Sequence, residues 1–243
     1  TVVVVVVVVA RVALTPEGAS HPSRAASEVD RLASAPRSAP VATSVPTPSP
    51  IRSKTLGNGR MAAATPIRVP ESGSGRFETA PGGSDVVGTG ERVTYSVEVE
   101  EGLPIDAVVV ARTVDRVLAD VRGWTAVESR ALQRVDADPM VHIRVASPGT
   151  TDRLCSPLDT GGRLSCRNGD LVVLNAWRWV NGAGSYTDHL AAYRRYMVNH
   201  EFGHALGKGH ESCPDPGDLA PVMVQQTKGL DGCLPNPWPA PVS

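Results

Sequence analysis

Aromatic residues make up only 4% of this 243-residue chain, and before Asp85 there is a single one, Phe77. A segment that poor in large apolar side chains cannot bury enough surface to offset its conformational entropy. The first third, rich in Ala, Ser, Pro, Thr and Gly, is therefore not expected to build a core. Net charge is almost absent as well. The 24 Lys and Arg against 25 Asp and Glu leave −1, which gives no basic footprint for nucleic acid or for an anionic membrane surface. Long apolar runs are missing too. The best is the opening Val2–Val9, and Arg11 interrupts it before Val12, Ala13 and Leu14, whereas a bilayer span needs about 20 residues. Residues 1–14 read as the truncated remnant of a signal or membrane anchor, or else as a low-complexity start.

Cysteine is scarce. Cys155, Cys166, Cys213 and Cys233 are the whole supply, and none forms a C-x-x-C pair. An even count is compatible with two disulfides, and the sequential pairing, 155 with 166 and 213 with 233, closes the shortest loops. Disulfides would place the protein outside the cytosol, secreted or tethered at the cell envelope; four unrelated buried thiols are the alternative. Residues 15–84, with Pro, Ser, Ala and Gly repeated at Ala39–Pro50 and Glu71–Ser84, read as a disordered tether containing an inert His21. The folded domain is expected over residues 85–243.

Inside that domain, Arg92–Glu100 alternates Val93, Tyr95, Val97 and Val99 with polar residues, the period of a half-buried strand. Pro104 suits a first helical turn, and Ile105, Val108, Val109, Val114, Val117, Leu118 and Val121 follow at helical spacing until Gly123. Further strands are expected at Ala131–Val135, Val141–Ala146 and Leu171–Val180. A last long helix should start at Thr187 or Asp188, either of which can cap it, and run to about Leu206. Beyond Gly207 the many prolines predict an irregular tail. The fold class is α+β: a mixed twisted sheet, a backing helix, a second helix and a coil-rich C-terminal part.

That second helix carries the chemistry. Residues 200–210 read His-Glu-Phe-Gly-His-Ala-Leu-Gly-Lys-Gly-His, the pattern H-E-x-x-H-x-x-G-x-x-H. Four residues are slightly more than one helical turn, so His200 and His204 project from one face about 6 Å apart in height and can share a cation. A third ligand must come back from outside the helix. Gly207 can end the helix in the left-handed conformation, Gly209 keeps the loop compact, and His210 can then return. Three neutral imidazoles leave one coordination position open, as in a catalytic zinc site. Glu201, about 100° around the helix from His200, is placed as general base. H-E-x-x-H alone arises by chance in roughly one of a hundred such sequences, and Gly207 with His210 lowers that to on the order of one in 10⁵. Gly203, costly inside a helix by about 1 kcal/mol relative to Ala, suggests that another backbone packs closely there.

These eleven residues match the metzincin zinc-binding motif, and Pro221-Val222-Met223 looks like the methionine turn beneath the metal in that clan. The runs Tyr196–Glu201, Pro221–Met223 and Gln225–Cys233 are also similar to an actinobacterial family of uncharacterised extracellular, often membrane-tethered zincin-like proteins. The resemblance covers roughly Asp85 to Cys233. It implies a zincin-like fold, Zn²⁺ held by His200, His204 and His210, Glu201 as base and Met223 as hydrophobic floor, although Met223 could instead be ordinary core. Some metzincins carry a tyrosine ligand two residues after the methionine, where this chain has Gln225, so no fifth protein ligand is expected. Cys213, if reduced, is an alternative fourth ligand that would shut the site.

Other residues carry weaker signals. His189 reads as a solvated helix-start residue and His142 as a hydrogen-bonded structural one. Trp177 and Trp179, on one strand face, either line a groove or pack the core. Asp215 and Asp218 are candidate partners for the ligand imidazoles. The expected activity is zinc-dependent hydrolysis of peptide or related amide bonds by a monomer acting on a peptide or protein substrate, with no nucleic acid involved. The rivals are a non-catalytic, zinc-stabilised envelope binding module and an amide hydrolase of peptidoglycan cross-links.

Overall fold

The computed structural model describes residues 67–241. The remnant expected at residues 1–14, and the tether as far as residue 66, lie outside the described residues. Seven strands form one mixed sheet: β1 (Phe77–Thr79), β2 (Val87–Gly88), β3 (Glu91–Glu100), β4 (Arg130–Arg134), β5 (Val141–Ala146), β6 (Cys166–Asn168) and β7 (Leu171–Asn175). The order is β2-β4-β3-β5-β7-β6, with β1 also on β3. The central strands β4, β3, β5 and β7 run parallel, whereas β1, β2 and β6 pair antiparallel with their neighbours. Four α-helices accompany them, α1 (Ala107–Leu118), α2 (Pro148–Cys155), α3 (Ala176–Asn181) and α4 (Leu190–Ala205). The architecture is mixed α/β, in keeping with the α+β class.

Register explains the core. Tyr95, Val97 and Val99 on β3 stand beside Val141, Ile143 and Val145 on β5, and these beside Val172 and Leu174 on β7, all on one face. Helices α1 and α4 cover that face, contributing Val110, Val114 and Leu118 and Tyr193, Tyr196, Met197 and Phe202. Asp106 caps α1 by accepting from Val109 N at 2.8 Å. The helix stops at Leu118, so Val121 lies beyond it and is 85% exposed rather than part of the apolar stripe.

The other face of β3 is not solvated, contrary to the half-buried strand expected. Ser96, Glu98 and Glu100 are buried, and each finds polar partners, as burial of such groups requires. Glu98 takes His142 Nδ1 at 2.6 Å and Arg144 Nε at 2.7 Å, so His142 has the structural role expected of it. Burial pushes the Glu98 carboxyl up, but the bonds from His142, Ser96 and Arg144 together outweigh it and hold it below its ordinary value.

The domain also begins earlier than Asp85. Glu100 accepts from Gly75 N at 2.7 Å, β1 pairs with the end of β3, and Arg134 donates to the carbonyls of Ala80, Pro81, Gly82 and Gly83 while ion-pairing with Asp115. Residues 67–84 are thus part of the structure. They are held by backbone bonds to β3, Arg134 and Gly149 together with side chains gripping backbone, which leaves little hydrophobic pattern to read.

Two further expectations need correction. The run Leu171–Val180 is not one strand. Asn175 ends β7 and its Oδ1 accepts from Trp177 N at 3.0 Å and Arg178 N at 3.4 Å, which starts α3. Trp177 and Trp179 therefore do not share a strand face; Trp179 is core and Trp177 is half-buried beneath Arg163 and Arg178. Helix α4 starts at Leu190, with neither Thr187 nor Asp188 as its cap. Thr187 Oγ1 donates back to Gly184 O, and Asp188 takes a φ of 63° in the turn before the helix. His189 is exposed at the helix start, as expected.

Both disulfides have the sequential pairing, Cys155 with Cys166 and Cys213 with Cys233. They fit an oxidising, extracellular environment and leave no cysteine thiol to close a metal site. Among the described residues no helix is long and apolar enough to cross a membrane.

Candidate metal centre

Helix α4 delivers His200, Glu201 and His204 to a cleft, and its last turn explains how His210 joins them. Gly207 takes a φ of 85°. Its N–H reaches His204 O at 3.1 Å, and Lys208 N reaches Gly203 O at 2.9 Å. That bond pair with a left-handed glycine is the Schellman ending. The chain then doubles back, and Glu211 N bonds to Met223 O at 3.1 Å, fixing the loop just past His210. The ligand atoms of His200, His204 and His210 lie within 4.8 Å of one another.

Proton placement follows from the partners. His200 Nδ1 meets Val222 O at 2.9 Å, and His204 Nδ1 meets Lys208 O at 2.8 Å. A carbonyl can only accept, so each Nδ1 carries the proton and each Nε2 keeps its lone pair free. His204 Nε2 then stands 3.1 Å from His210 Nε2. Two nitrogens bound tetrahedrally at about 2.0–2.1 Å sit roughly 3.3 Å apart, so this spacing fits a shared cation. The cluster is able to hold a metal ion. The partners of His200 and His204 are backbone carbonyls, and no hydrogen bond joins any of the three imidazoles to Asp215 or Asp218. Those two lie in the turn next to Cys213, where Asp218 N donates to Asp215 O at 3.1 Å.

Burial tunes the group further. His200 is buried, which pushes its pKa down to about 3, and desolvation pushes the Glu201 carboxyl up to about 8. Burial, then the neighbouring His204 and Lys228, also lower His210. Neutral imidazoles are the form a metal binds.

Met223 is buried and lies beneath the helix at Gly203. A Cβ there would come 2.5 Å from Trp124 Cζ2 and 2.6 Å from Met223 Sδ. The close approach expected at Gly203 is real, but its partners are side chains, not a backbone. Tyr196, one turn before His200, was not legible as a site residue. Its ring centroid lies 5.2 Å from that of His200 and its hydroxyl donates to Val224 O at 3.0 Å. The Tyr-x-x-x-His spacing that packs the two tilted rings together is present in the sequence, but it is ordinary in any helix. The carbonyls of Val222 and Lys208 leave no sequence signal at all, because every residue has one.

The cleft over these residues has a volume of about 480 Å³. Helix α4 lines it with Tyr196, His200, Glu201 and His204. Leu158, Leu164 and Arg167 stand on one side, with Gln225 and Lys228 from the segment after Met223 also lining it. The arrangement offers three convergent imidazoles and the buried carboxyl of Glu201 in a concave site open to solvent, with Asp159 also on its lining.

Comparison with curated proteins and with solved structures finds no match. A family model described as "Protein of unknown function (DUF3152)" matches residues 64–241, including all of the strands, helices and imidazoles above, and the chain belongs to that family.

Proposed function

We propose that the protein is a zinc-dependent peptidase of metzincin-like design, acting outside the cytosol either as a secreted protein or held at the cell envelope by its N-terminal segment. The observation that carries this reading is the meeting of three imidazoles, two with their Nδ1 protons tied to carbonyls, beside a buried carboxyl in the same cleft. His200, His204 and His210 would hold the ion, and Met223 would form the floor. Bound there, zinc supplies Lewis acidity, which makes water more acidic and polarises a carbonyl.

The chain's own groups do the rest. Glu201 accepts a proton from water at its carboxylate and passes it to the leaving amine. A carboxyl raised to about 8 by burial is brought back toward its ionised form, the form that accepts a proton from water, by a cation alongside. Tyr196 and the Val222 carbonyl orient His200 through packing and a hydrogen bond, and Lys208 does the same for His204 through its carbonyl.

The test is metal analysis of the purified protein together with cleavage of a peptide library, before and after chelation. Glu201→Gln should retain about one zinc per chain and lose activity by 10²-fold or more, in line with typical general-base contributions. Undiminished turnover in that variant rejects the assignment. Stoichiometric zinc with no cleavage by the parent protein would favour a zinc-stabilised binding module.

A further inference from the structure

Two cavities meet at His210. One is the cleft just described; the other, about 400 Å³ and more polar, is lined by His210, Glu211, Gln225, Lys228 and Asp231 among others. Lys228 and Gln225 line both.

Three cationic side chains face the first cleft, Arg167, Lys208 and Lys228, and they are not equivalent. The Lys208 ammonium is committed to an ion pair with Glu128. Arg167 and Lys228 take part in no ion pair among the described residues. The Lys228 ammonium has one hydrogen bond, to the neutral Gln225 Oε1 at 3.3 Å, so its charge is uncompensated. Arg167 lies on β6 and lines only the first cleft, whereas Lys228 shares both cavities with His210. Against these cations the first cleft has Glu201, assigned above to proton transfer, and Asp159, which accepts from Gly161 N at 2.9 Å. Glu211 and Asp231 in the second cavity disfavour an anion reaching deep into it. The place left for one is the boundary between the cavities, beside His210.

We infer that Lys228, steadied by Gln225, is a specificity-determining residue that takes a carboxylate of the substrate next to His210. The cleft then selects peptides with an acidic side chain or a free C-terminus close to the bond attacked. The term substrate rests on the peptidase reading; the binding preference does not, and can be measured without turnover.

The experiment uses the zinc-loaded full chain with Glu201→Gln, so that peptides persist, and fluorescence anisotropy of labelled alanine octapeptides. Each peptide carries one Glu or one Gln at a chosen position and ends in a free acid or an amide. A carboxylate-bearing peptide should bind about 3- to 5-fold tighter than its uncharged counterpart, the upper part of the range for an exposed ion pair, and the preference should shrink as salt rises. A preference that tracks the Glu position assigns an acidic side chain, and one that tracks the terminus assigns the C-terminal carboxylate. Lys228→Gln should bring the ratio to within about twofold of unity, Lys228→Glu should reverse it, and Arg167→Gln should leave most of it. Lys228 is exposed, so unchanged thermal melting is expected in these variants and serves as the folding control.

Any of four results overturns the inference: no binding, no preference, a preference that survives Lys228→Gln, or one that falls equally in Arg167→Gln, which would mean a diffuse field. The peptidase reading fails separately, if protein with Glu201 intact cleaves none of the same peptides. A carboxylate preference that depends on Lys228 would then remain as a property of a non-catalytic site.

Discussion

At the scale of single residues, Gly203 shows how tightly the site helix is supported. An alanine there would gain up to about 1 kcal/mol of helix propensity. It would also drive a methyl group toward Trp124 and Met223. Trp124 has little freedom to move, since it is buried and its Nε1 donates to Asn199 O at 2.9 Å; the Met223 side chain can yield more easily. Overpacking of a filled core costs about 1–3 kcal/mol, so the clash should win. Gly203→Ala is expected to lower the urea midpoint by about 1–2 kcal/mol equivalent and to weaken metal retention, because His200 and His204 flank the displaced position. An unchanged or raised midpoint would mean that the methionine simply moves aside. Sequence reasoning found the crowding here from the cost of a mid-helix glycine, but not its source, since Trp124 is 79 positions away and nothing local links the two.

At the scale of elements, legibility followed the kind of interaction that holds each piece. Strand β5 and the apolar stripe of β3 were readable because alternation encodes a buried face. The H-E-x-x-H-x-x-G-x-x-H spacing was readable because helix geometry and one glycine dictate where its imidazoles can go. Residues 67–84 were not, since Arg134 and Glu100 hold them through backbone atoms. Nor was the strand-to-helix switch at Asn175, where one side-chain cap overrides a run of apolar residues. The tail after Gly207 is of the same kind. Gln226 is buried and accepts from Tyr186 Oη at 2.7 Å while donating to Asn236 O at 2.8 Å, so a segment without periodicity is nonetheless fixed.

The Cys213–Cys233 bridge adds to that order. It closes a loop of 20 residues in sequence separation that contains Met223 and the Val222 carbonyl. Chain-entropy reasoning gives such a bridge about 3 kcal/mol. Replacing both cysteines by serine should lower stability by about 2–4 kcal/mol in chemical denaturation, and zinc should exchange faster in a chelator competition. The Cys155–Cys166 pair closes a shorter loop that lines the cleft wall through Leu158, Leu164 and Cys166 itself but contains no hydrogen-bond partner of the imidazoles, so it should affect stability with a smaller effect on that exchange rate. Equal effects on exchange would contradict the placement of Met223 as support for the site.

At the scale of the whole molecule, the metal-free protein should carry its centre as a strained set of buried groups, and pH reports this with two opposed signs. His200 is lowered from 6.5 to about 3 by burial. Between those values the unfolded chain binds a proton that the folded one refuses, so this group makes the fold lose stability as pH falls from 6.5 toward 3. Glu201 is raised from 4.5 to about 8 by burial. There the folded chain holds the extra proton, so stability is lost as pH rises from 4.5 toward 8. The two slopes oppose each other between about 4.5 and 6.5, where their contributions nearly cancel, and above 6.5 only the Glu201 loss remains. Urea midpoints of chelated protein should therefore decline from pH 6.5 to 8, and Glu201→Gln should flatten that decline. Saturating zinc should do the same to the parent protein, because a cation beside the carboxylate stabilises its ionised form and because metal binding stabilises only the folded chain. If chelated and zinc-saturated proteins show the same alkaline slope, the carboxyl of Glu201 does not face the ion, and its assignment as the proton carrier has to be given up.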